Sequence, residues 1–348
     1  MTDAAKITIY EVAAEAGVSI GTVSKVLSNT ARVSETTRAK VLKAIEHLDY
    51  VPSLAARGVA KGGRTSIIGL LIPFTPAQVL ADPHLQGNIS GIQEALNERD
   101  YTLLLATANK EHDPSSSYQR LLRSRYMDGA VIMETQESKV GGLHRHLLQQ
   151  HYPWVVLGYP IDTLASYCVH ADDLQGARRI TEHLISLGHR RIGIINVQPP
   201  GPYAFEERLH GYQQILKHNN IIFDDRLVVS AKDWAVESGF QAALQLFKQP
   251  NPPTAIFALN DRLALGAMQW VQAQGWHVPN DISIVGFDDI PSASLCTPSL
   301  TTVRQPSVAM GYETVKLLYQ LLDGGTASSR VVISTELVIR ESSTALGK

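Results

Sequence analysis

The sequence predicts an all-α helix-turn-helix head joined to a two-lobed α/β body with doubly wound parallel sheets. Three observations carry that expectation. The first fifty residues divide into three short, capped helical stretches. From residue 66 onward, apolar runs of strand length alternate with amphipathic runs of helix length. That alternation starts afresh near residue 176, which makes two units rather than one. A chain of 348 residues has room for two or three domains.

In the head, Thr8 is placed to cap a first helix, with Glu11 three residues on completing a capping box. Ile9, Val12, Ala13 and Ala16 fall on one face, and Gly17 supplies the turn that ends the helix. Ser19 is placed to cap a second helix, with Val23, Val26 and Leu27 inward. Its other face shows Ile20, Gly21, Thr22, Ser24 and Lys25, which are small, polar or basic. A third helix begins at Ser34 and runs through Val41, Leu42, Ile45 and Leu48. Three short helices with a glycine turn between the first two make a helix-turn-helix.

That geometry implies duplex DNA as a partner. The second helix of such a unit lies in the major groove, with its N-terminal residues at base edges. Lys25 suits guanine O6 or N7, and Ile20 suits a thymine methyl. Thr22 and Ser24 suit phosphates, which set position rather than sequence. Thr8, Tyr10, Ser19, Gly21, Asn29 and Arg32 complete the candidate surface of the head. Charge agrees: residues 1–64 hold nine Lys/Arg against six Asp/Glu, whereas the whole chain carries −2.

In the body, SIIGLLIP, YTLLLATA, DGAVIME and PWVVLGY read as strands, with helices from GNISGIQEALNERD, YQRLLRSR and LHRHLLQQ between them. In the second unit, HRRIGIINV, LVVSA, PTAIFALN and SIVGFDD read as strands. Helices there are GARRITEHLISLG, ERLHGYQQILKHN, VESGFQAALQLFKQ and DRLALGAMQWVQAQG. Two doubly wound units place a ligand cleft beyond the carboxyl ends of their strands. Polar residues stand at those ends: Arg208 at the start of ERLHGY, Trp234 in KDWAVESGF, Asn260 and Asp261 after AIFAL, and Asp288 and Asp289 after SIVGF. A carboxylate, an amide, a guanidinium fork and an aromatic face are the mix that a hydroxyl-rich ligand needs.

Other classes are disfavoured. Cys168 and Cys296 make no disulfide framework and fit a reducing cytosol. No basic-then-apolar leader opens the chain and no run of eighteen apolar residues occurs, so a cytoplasmic location without membrane contact is expected. Phosphate-loop, dinucleotide, nucleophile-elbow and zinc-protease motifs are missing, so no cofactor, metal or enzymatic activity is expected. His144 and His146 fall on different faces of one helical stretch. A sugar-binding protein with no DNA-reading function is the alternative that the body alone leaves open.

The segment IYEVAAEAGVSIGTVSKVLSN, followed by VSETTRAKVLKAIEHLDYVPSLAARGVAKG, resembles the headpiece and hinge of the lactose-repressor (LacI/GalR) family. The order of motifs continues to match to about residue 342. The resemblance implies a transcriptional repressor whose operator affinity is set by a small effector, a mono- or disaccharide. The implied core has the fold of type I periplasmic sugar-binding proteins, in which the chain crosses between lobes three times, near Tyr167, Thr297 and Ser329. The expected divisions are therefore a DNA-binding domain at 1–51, a hinge at 52–65, a first lobe of 66–166 with 298–328, and a second of 167–297 with 329–348. In the family the hinge folds on the operator and wedges a leucine into the minor groove. Here Val59 stands at that place and Gly58 where serine is common, beside Arg57, so a weaker hinge helix is expected.

The same resemblance places the family's effector-binding arginine on Arg208, its stacking aromatic on Trp234, its asparagine on Asn260 and its aspartate on Asp288. Asp261 and Asp289 are then caps or structural partners. On the other lobe Phe74, Asp82, His84 and Glu134 are candidates, with His84 in a loop where an aromatic is common. A homodimer reading a pseudo-palindrome is implied, released from it by the effector, without a C-terminal tetramerisation helix.

Overall fold

A computed structural model of the chain describes residues 7–28, 33–50, 64–107, 118, 121, 126–133, 153–160, 167–197, 203–326 and 328–347. Its head has three helices, α1 (Ile9–Ala16), α2 (Ile20–Ser28) and α3 (Glu35–His47). The boundaries follow the expected local chemistry. The Glu11 carboxylate reaches back to accept from the Thr8 N–H at 2.6 Å. Gly17 adopts φ 63°, and the Val18 N–H bonds back to the Ala13 carbonyl at 3.0 Å. Ser19 accepts from the Thr22 N–H, and Ser34 from the Thr37 N–H. Val12, Val23, Val26, Val41 and Ala44 make the shared core. Leu42 is 51% exposed. Val41 and Ala44 already occupy the inward stripe of α3, and a residue adjacent to Val41 is turned about 100° away.

The first body sheet is built from β1 (Ile67–Ile72), β2 (Thr102–Thr107), β3 (Gly129–Met133), β4 (Trp154–Leu157), β5 (Cys168–Ala171) and β11 (Arg330–Ile333), in the order β11-β5-β4-β3-β1-β2. The second is built from β6 (Ile192–Val197), β7 (Val228–Ala231), β8 (Ala255–Ala258) and β9 (Ser283–Val285), in the order β7-β6-β8-β9. Every pairing within these two sheets is parallel. Parallel strands need crossover connections, and most of β1, β3, β4 and β8 is buried on both faces as such sheets require. A short antiparallel pair, β10 (Thr302–Arg304) with β12 (Glu336–Val338), continues from the second sheet through bridges Val285–Thr301 and Asp288–Arg304.

These pairings move the expected lobe boundaries. Cys168–Ala171 bonds into the first sheet, so the chain leaves that lobe after Ala171 rather than near Tyr167. It returns after β10, near Gln305 rather than Thr297, because β10 still belongs with the second lobe. β11 pairs with β5, so the last crossing follows Ile333 rather than Ser329. Cys168 accordingly lies in the first sheet, and Cys296 lies in the second lobe. The helices expected over YQRLLRSR and LHRHLLQQ, with His144 and His146, lie outside the described residues.

In the first lobe, α4 (Pro76–Leu80) and α5 (Pro83–Asn97) follow β1, and α11 (Ser307–Leu322) follows the second crossing. In the second lobe, α6 (Asp173–Ser186), α7 (Tyr203–His218), α8 (Val236–Phe247), α9 (Asp261–Ala273) and α10 (Pro291–Leu295) cover the sheet. Helices α5 and α11 approach backbone to backbone. A Cβ on Gly91 would overlap the Val308 carbonyl oxygen, and one on Gly311 the Asn88 carbonyl oxygen.

At the far end of the second lobe His189 is 2% exposed, between the hydroxyls of Thr254 and Ser283 and the Thr344 carbonyl. Burial holds its pKa below the ordinary histidine value, against the pull of the Thr344 carbonyl. Burial and His189 lower that of His183.

Two outcomes are expected. Gly91→Ala should cost about 1–3 kcal/mol in urea unfolding, because the helices must separate to admit one methyl group. The unfolded chain binds protons first as pH falls through about 6.5, so stability should be full above that value and decline below it. Urea midpoints at pH 7.5 and 5.5 should therefore differ more in the parent chain than in His189→Gln. An equal drop in both would assign the acid sensitivity elsewhere.

Candidate functional site

The head presents one candidate surface. Along α2, Ile20 with Ser24 and Gly21 with Lys25 are spaced by four residues and so share a face. Ile20, Gly21 and Lys25 are exposed, and Thr22 and Ser24 are half-buried. Ser19 also bonds to the Thr22 hydroxyl at 2.9 Å, which fixes both at the helix start. Thr8 and Tyr10 are exposed at the beginning of α1, Tyr10 by 69%. An exposed isoleucine and small residues at the start of α2, with Lys25 on the same surface in its last turn, suit a groove with methyl groups, acceptors and phosphates. Asn29, Arg32, Arg57, Gly58 and Val59 lie outside the described residues.

The second candidate is a cleft of about 800 Å³ between the lobes, open to solvent and lined by residues from both. Phe74, Asp82, His84, Arg208, Trp234, Asn260 and Asp288 all line it, so the structure gathers seven of the eight sequence-expected residues. Glu134, the eighth, lies outside the described residues.

On the second-lobe wall, Arg208 is 2% exposed in the second turn of α7. Its Nε donates to Asp173 at 2.8 Å, and its Nη1 stands 3.5 Å from Asp288 and donates to the Leu259 carbonyl. The guanidinium carbon lies 3.8 Å from the centre of the Phe287 ring. Asp288 has φ 123° and Asp289 φ 57°, a conformation that costs side-chain-bearing residues about 1–3 kcal/mol each. Hydrogen bonds hold it: the Asp288 N–H to Val303, and the Gln305 amide to Asp288 Oδ1 at 2.6 Å. Burial raises the Asp288 pKa, and Arg208 opposes that rise.

Asn260 lines the cleft and also caps α9, accepting from the Leu263 N–H at 2.8 Å. Asp261 is structural, accepting from Thr302 and the Ile290 N–H in full burial. That burial, with Asp288 nearby, raises its pKa. Asp289 is structural too, paired with Arg304 at 2.8 Å and Arg340 at 2.6 Å.

On the first-lobe wall, His84 is not in a loop. Helix α5 begins at Pro83, with Asp82 as its cap accepting from the His84 and Leu85 N–H groups. Proline at the first helical position lets the helix start there. Asp82 also meets Arg262 of the second lobe at 3.3 Å, and Phe74 meets Trp234 edge to face with ring centres 5.0 Å apart. These two contacts bridge the cleft.

Sequence reasoning missed Asn88, Tyr159, His170, Asp173 and Gln305, all of which line the cleft. Tyr159 stacks on His170 at 4.3 Å and donates to Asp173 at 3.0 Å, and burial raises its pKa. Among the described residues, buried His84 Nδ1, Asn88 Oδ1 and His170 Nε2 have no hydrogen-bond partner. Three such atoms around one cleft are available to water or to a ligand.

Comparison with known proteins finds relatives for both the head and the body. The model of bacterial regulatory proteins of the lacI family matches residues 8–53, and that of the periplasmic binding protein-like domain matches residues 181–343. The transcriptional regulator CelR of Thermobifida fusca is 35% identical over 341 residues, covering 96% of this chain and 98% of the relative. The solved CelR–cellobiose complex is similar with a TM-score of 0.74 at 32% identity, covering 97% of this chain and 99% of that one. The lac repressor dimer bound to operator and the anti-inducer ONPF gives a TM-score of 0.84 at 27% identity, with coverage of 97% and 99%.

Replacing Arg208 by methionine strands two buried carboxylates. We expect a loss of about 3–5 kcal/mol in urea unfolding followed by tryptophan fluorescence. A loss below about 1 kcal/mol would show that Asp173 and Asp288 find other partners.

Proposed function

The chain belongs to the LacI family of bacterial regulatory proteins, and on that premise we propose that its operator affinity is controlled by a mono- or disaccharide bound between the lobes. A ligand-controlled, DNA-binding transcriptional repressor is what this family membership establishes. The observation that carries the sugar reading is the cleft itself. It combines a guanidinium, carboxylates, amides and aromatic faces drawn from both lobes. The likeness to CelR in complex with cellobiose supports the same class of ligand.

A ligand that touches both walls binds the closed arrangement better than any open one, and that difference is what shifts an equilibrium. Phe74–Trp234 and Asp82–Arg262 are the contacts with which such a ligand exchanges or cooperates. The effector-contacting residues we propose are Phe74, Asp82, His84, Arg208, Trp234, Asn260 and Asp288, with Glu134 beyond the described residues. The DNA-contacting residues we propose are Ser19, Ile20, Gly21, Thr22, Ser24 and Lys25 of the α2 segment with Thr8 and Tyr10, joined by Asn29, Arg32, Arg57 and Val59. A homodimer would present two heads to a pseudo-palindromic duplex. The likeness to the operator-bound lac repressor dimer supports that assembly. Among the described residues no helix is long and apolar enough to cross a membrane. We propose a cytoplasmic protein that binds its effector without turning it over.

Selection from random duplex DNA at fixed salt, with and without a panel of mono- and disaccharides, tests this reading. A palindrome should emerge and be lost with one sugar. Trp234→Ala should abolish the sugar response and leave operator affinity unchanged. Sugar binding without any enriched duplex would instead make the chain a binding protein with no DNA-reading function.

A further inference from the structure

The three unpartnered atoms of the cleft have definite hydrogen-bonding characters. Asn88 is 2% exposed on α5. Its Nδ2 lies 3.2 Å from the His84 carbonyl oxygen, which only accepts, so the amide nitrogen is fixed on that side and Oδ1 on the other. The same Nδ2 donates to His84 Nε2 at 3.1 Å, which makes that ring nitrogen the acceptor and leaves the proton on His84 Nδ1. His170 is 7% exposed on β5, and its Nδ1 donates to the Ala171 carbonyl at 2.8 Å, leaving Nε2 as a bare acceptor. The first-lobe wall thus offers one donor, His84 Nδ1–H, and two acceptors, Asn88 Oδ1 and His170 Nε2.

The fixed charges around the cleft point the same way. Asp82 is matched by Arg262. Asp173 and Asp288 share the single guanidinium of Arg208. One carboxylate is therefore in excess, and both arginines are already engaged. An anionic ligand finds no uncommitted cation among these groups. Its acceptor-only oxygens also face two acceptors on the opposite wall. A hydroxyl both donates and accepts, and satisfies every position of the wall.

We propose that Asn88 and His170, with His84, are specificity-determining residues that read hydroxyl protons and exclude acidic sugars, so that the effector is an uncharged polyol or sugar. This inference rests on the sugar reading of the cleft and refines it. Specificity arises from both the fitted contact and the mismatched one: two buried acceptors gain partners with a hydroxyl and are left facing lone pairs with a carboxylate.

The experiment is isothermal titration of the full chain with matched pairs that differ in one carboxylate: glucose and glucuronate, galactose and galacturonate, cellobiose and its uronic acid. The neutral member of any binding pair should bind at least about tenfold more tightly, a factor equivalent to one well-made hydrogen bond. Asn88→Ala and His170→Ala should each lower affinity for the neutral probe by about tenfold. Both should narrow the neutral-to-acid ratio, which a purely structural defect does not move. Comparable or tighter binding of the acid by the parent chain overturns the proposal while leaving the sugar reading intact. So does an unchanged ratio in folded variants. If no member of any pair binds, the sugar reading falls and this inference falls with it. The parent-chain comparison decides the question even where a variant does not fold.

Discussion

The body depends on one buried guanidinium. Arg208 sits on α7 and binds Asp173, the first residue of the helix that enters the second lobe. It binds Asp288, on the strained turn after β9, and the carbonyl that follows β8. Four segments far apart in sequence therefore converge on one side chain at the carboxyl ends of the second sheet. Burying that much charge is tolerable only because each partner is supplied by a separate element in the right geometry. The positive φ of Asp288 persists for the same reason, since the bonds around it over-determine its position. Cleft shape and second-lobe stability are thus one problem with one solution.

Much of this arrangement was legible in the chain. Capping pairs such as Thr8 with Glu11, and the glycine turn at Gly17, located the head helices because those signals are local. The strand–helix rhythm gave two parallel sheets because buried parallel strands read as unbroken apolar runs. Asn260 and Asp288 are legible because polar residues at strand ends interrupt an apolar pattern, whereas Arg208 lies within helix α7. Family resemblance gave the same residues by position.

What escaped was decided by tertiary contact. Asn88 lies in a helix with polar residues on several positions, and nothing in GNISG tells a ligand-facing amide from a solvated one. His170 lies inside CVHA, a strand whose other residues are all buried, and reads there as a core histidine. Asp173 stands beside Asp172, and the pair reads as helix capping, which Asp172 alone performs. The lobe boundaries were misplaced by a few residues because strand pairing, not composition, assigns β5, β10 and β11 to their sheets. The loop expected at His84 from the family resemblance is instead a helix start, because a proline in the first turn with Asp82 before it begins a helix.

The two walls of the cleft are not independent. Asp288 on the second-lobe side holds the Gln305 amide, and Gln305 is the crossing point from which α11 departs two residues later. Helix α11 then presses against α5 through the glycine contacts at Gly91 and Gly311, and the Gly311 contact is with the backbone of Asn88. A route of hydrogen bonds, covalent chain and backbone packing therefore runs from the carboxylate of one wall to the hydroxyl-reading amide of the other. Neither Gly91 nor Gly311 can yield without separating the helices, so the route is stiff where packing is tightest. The contacts that cross the cleft, Phe74–Trp234 and Asp82–Arg262, are made by side chains alone, one of them on the loop between β7 and α8. Backbone packing at the crossing and side-chain contacts across the cleft suit a hinge-like closure. A ligand spanning the walls then acts on the separation of the lobes rather than on the shape of either, and the head and hinge precede the first strand of the lobe that this closure displaces.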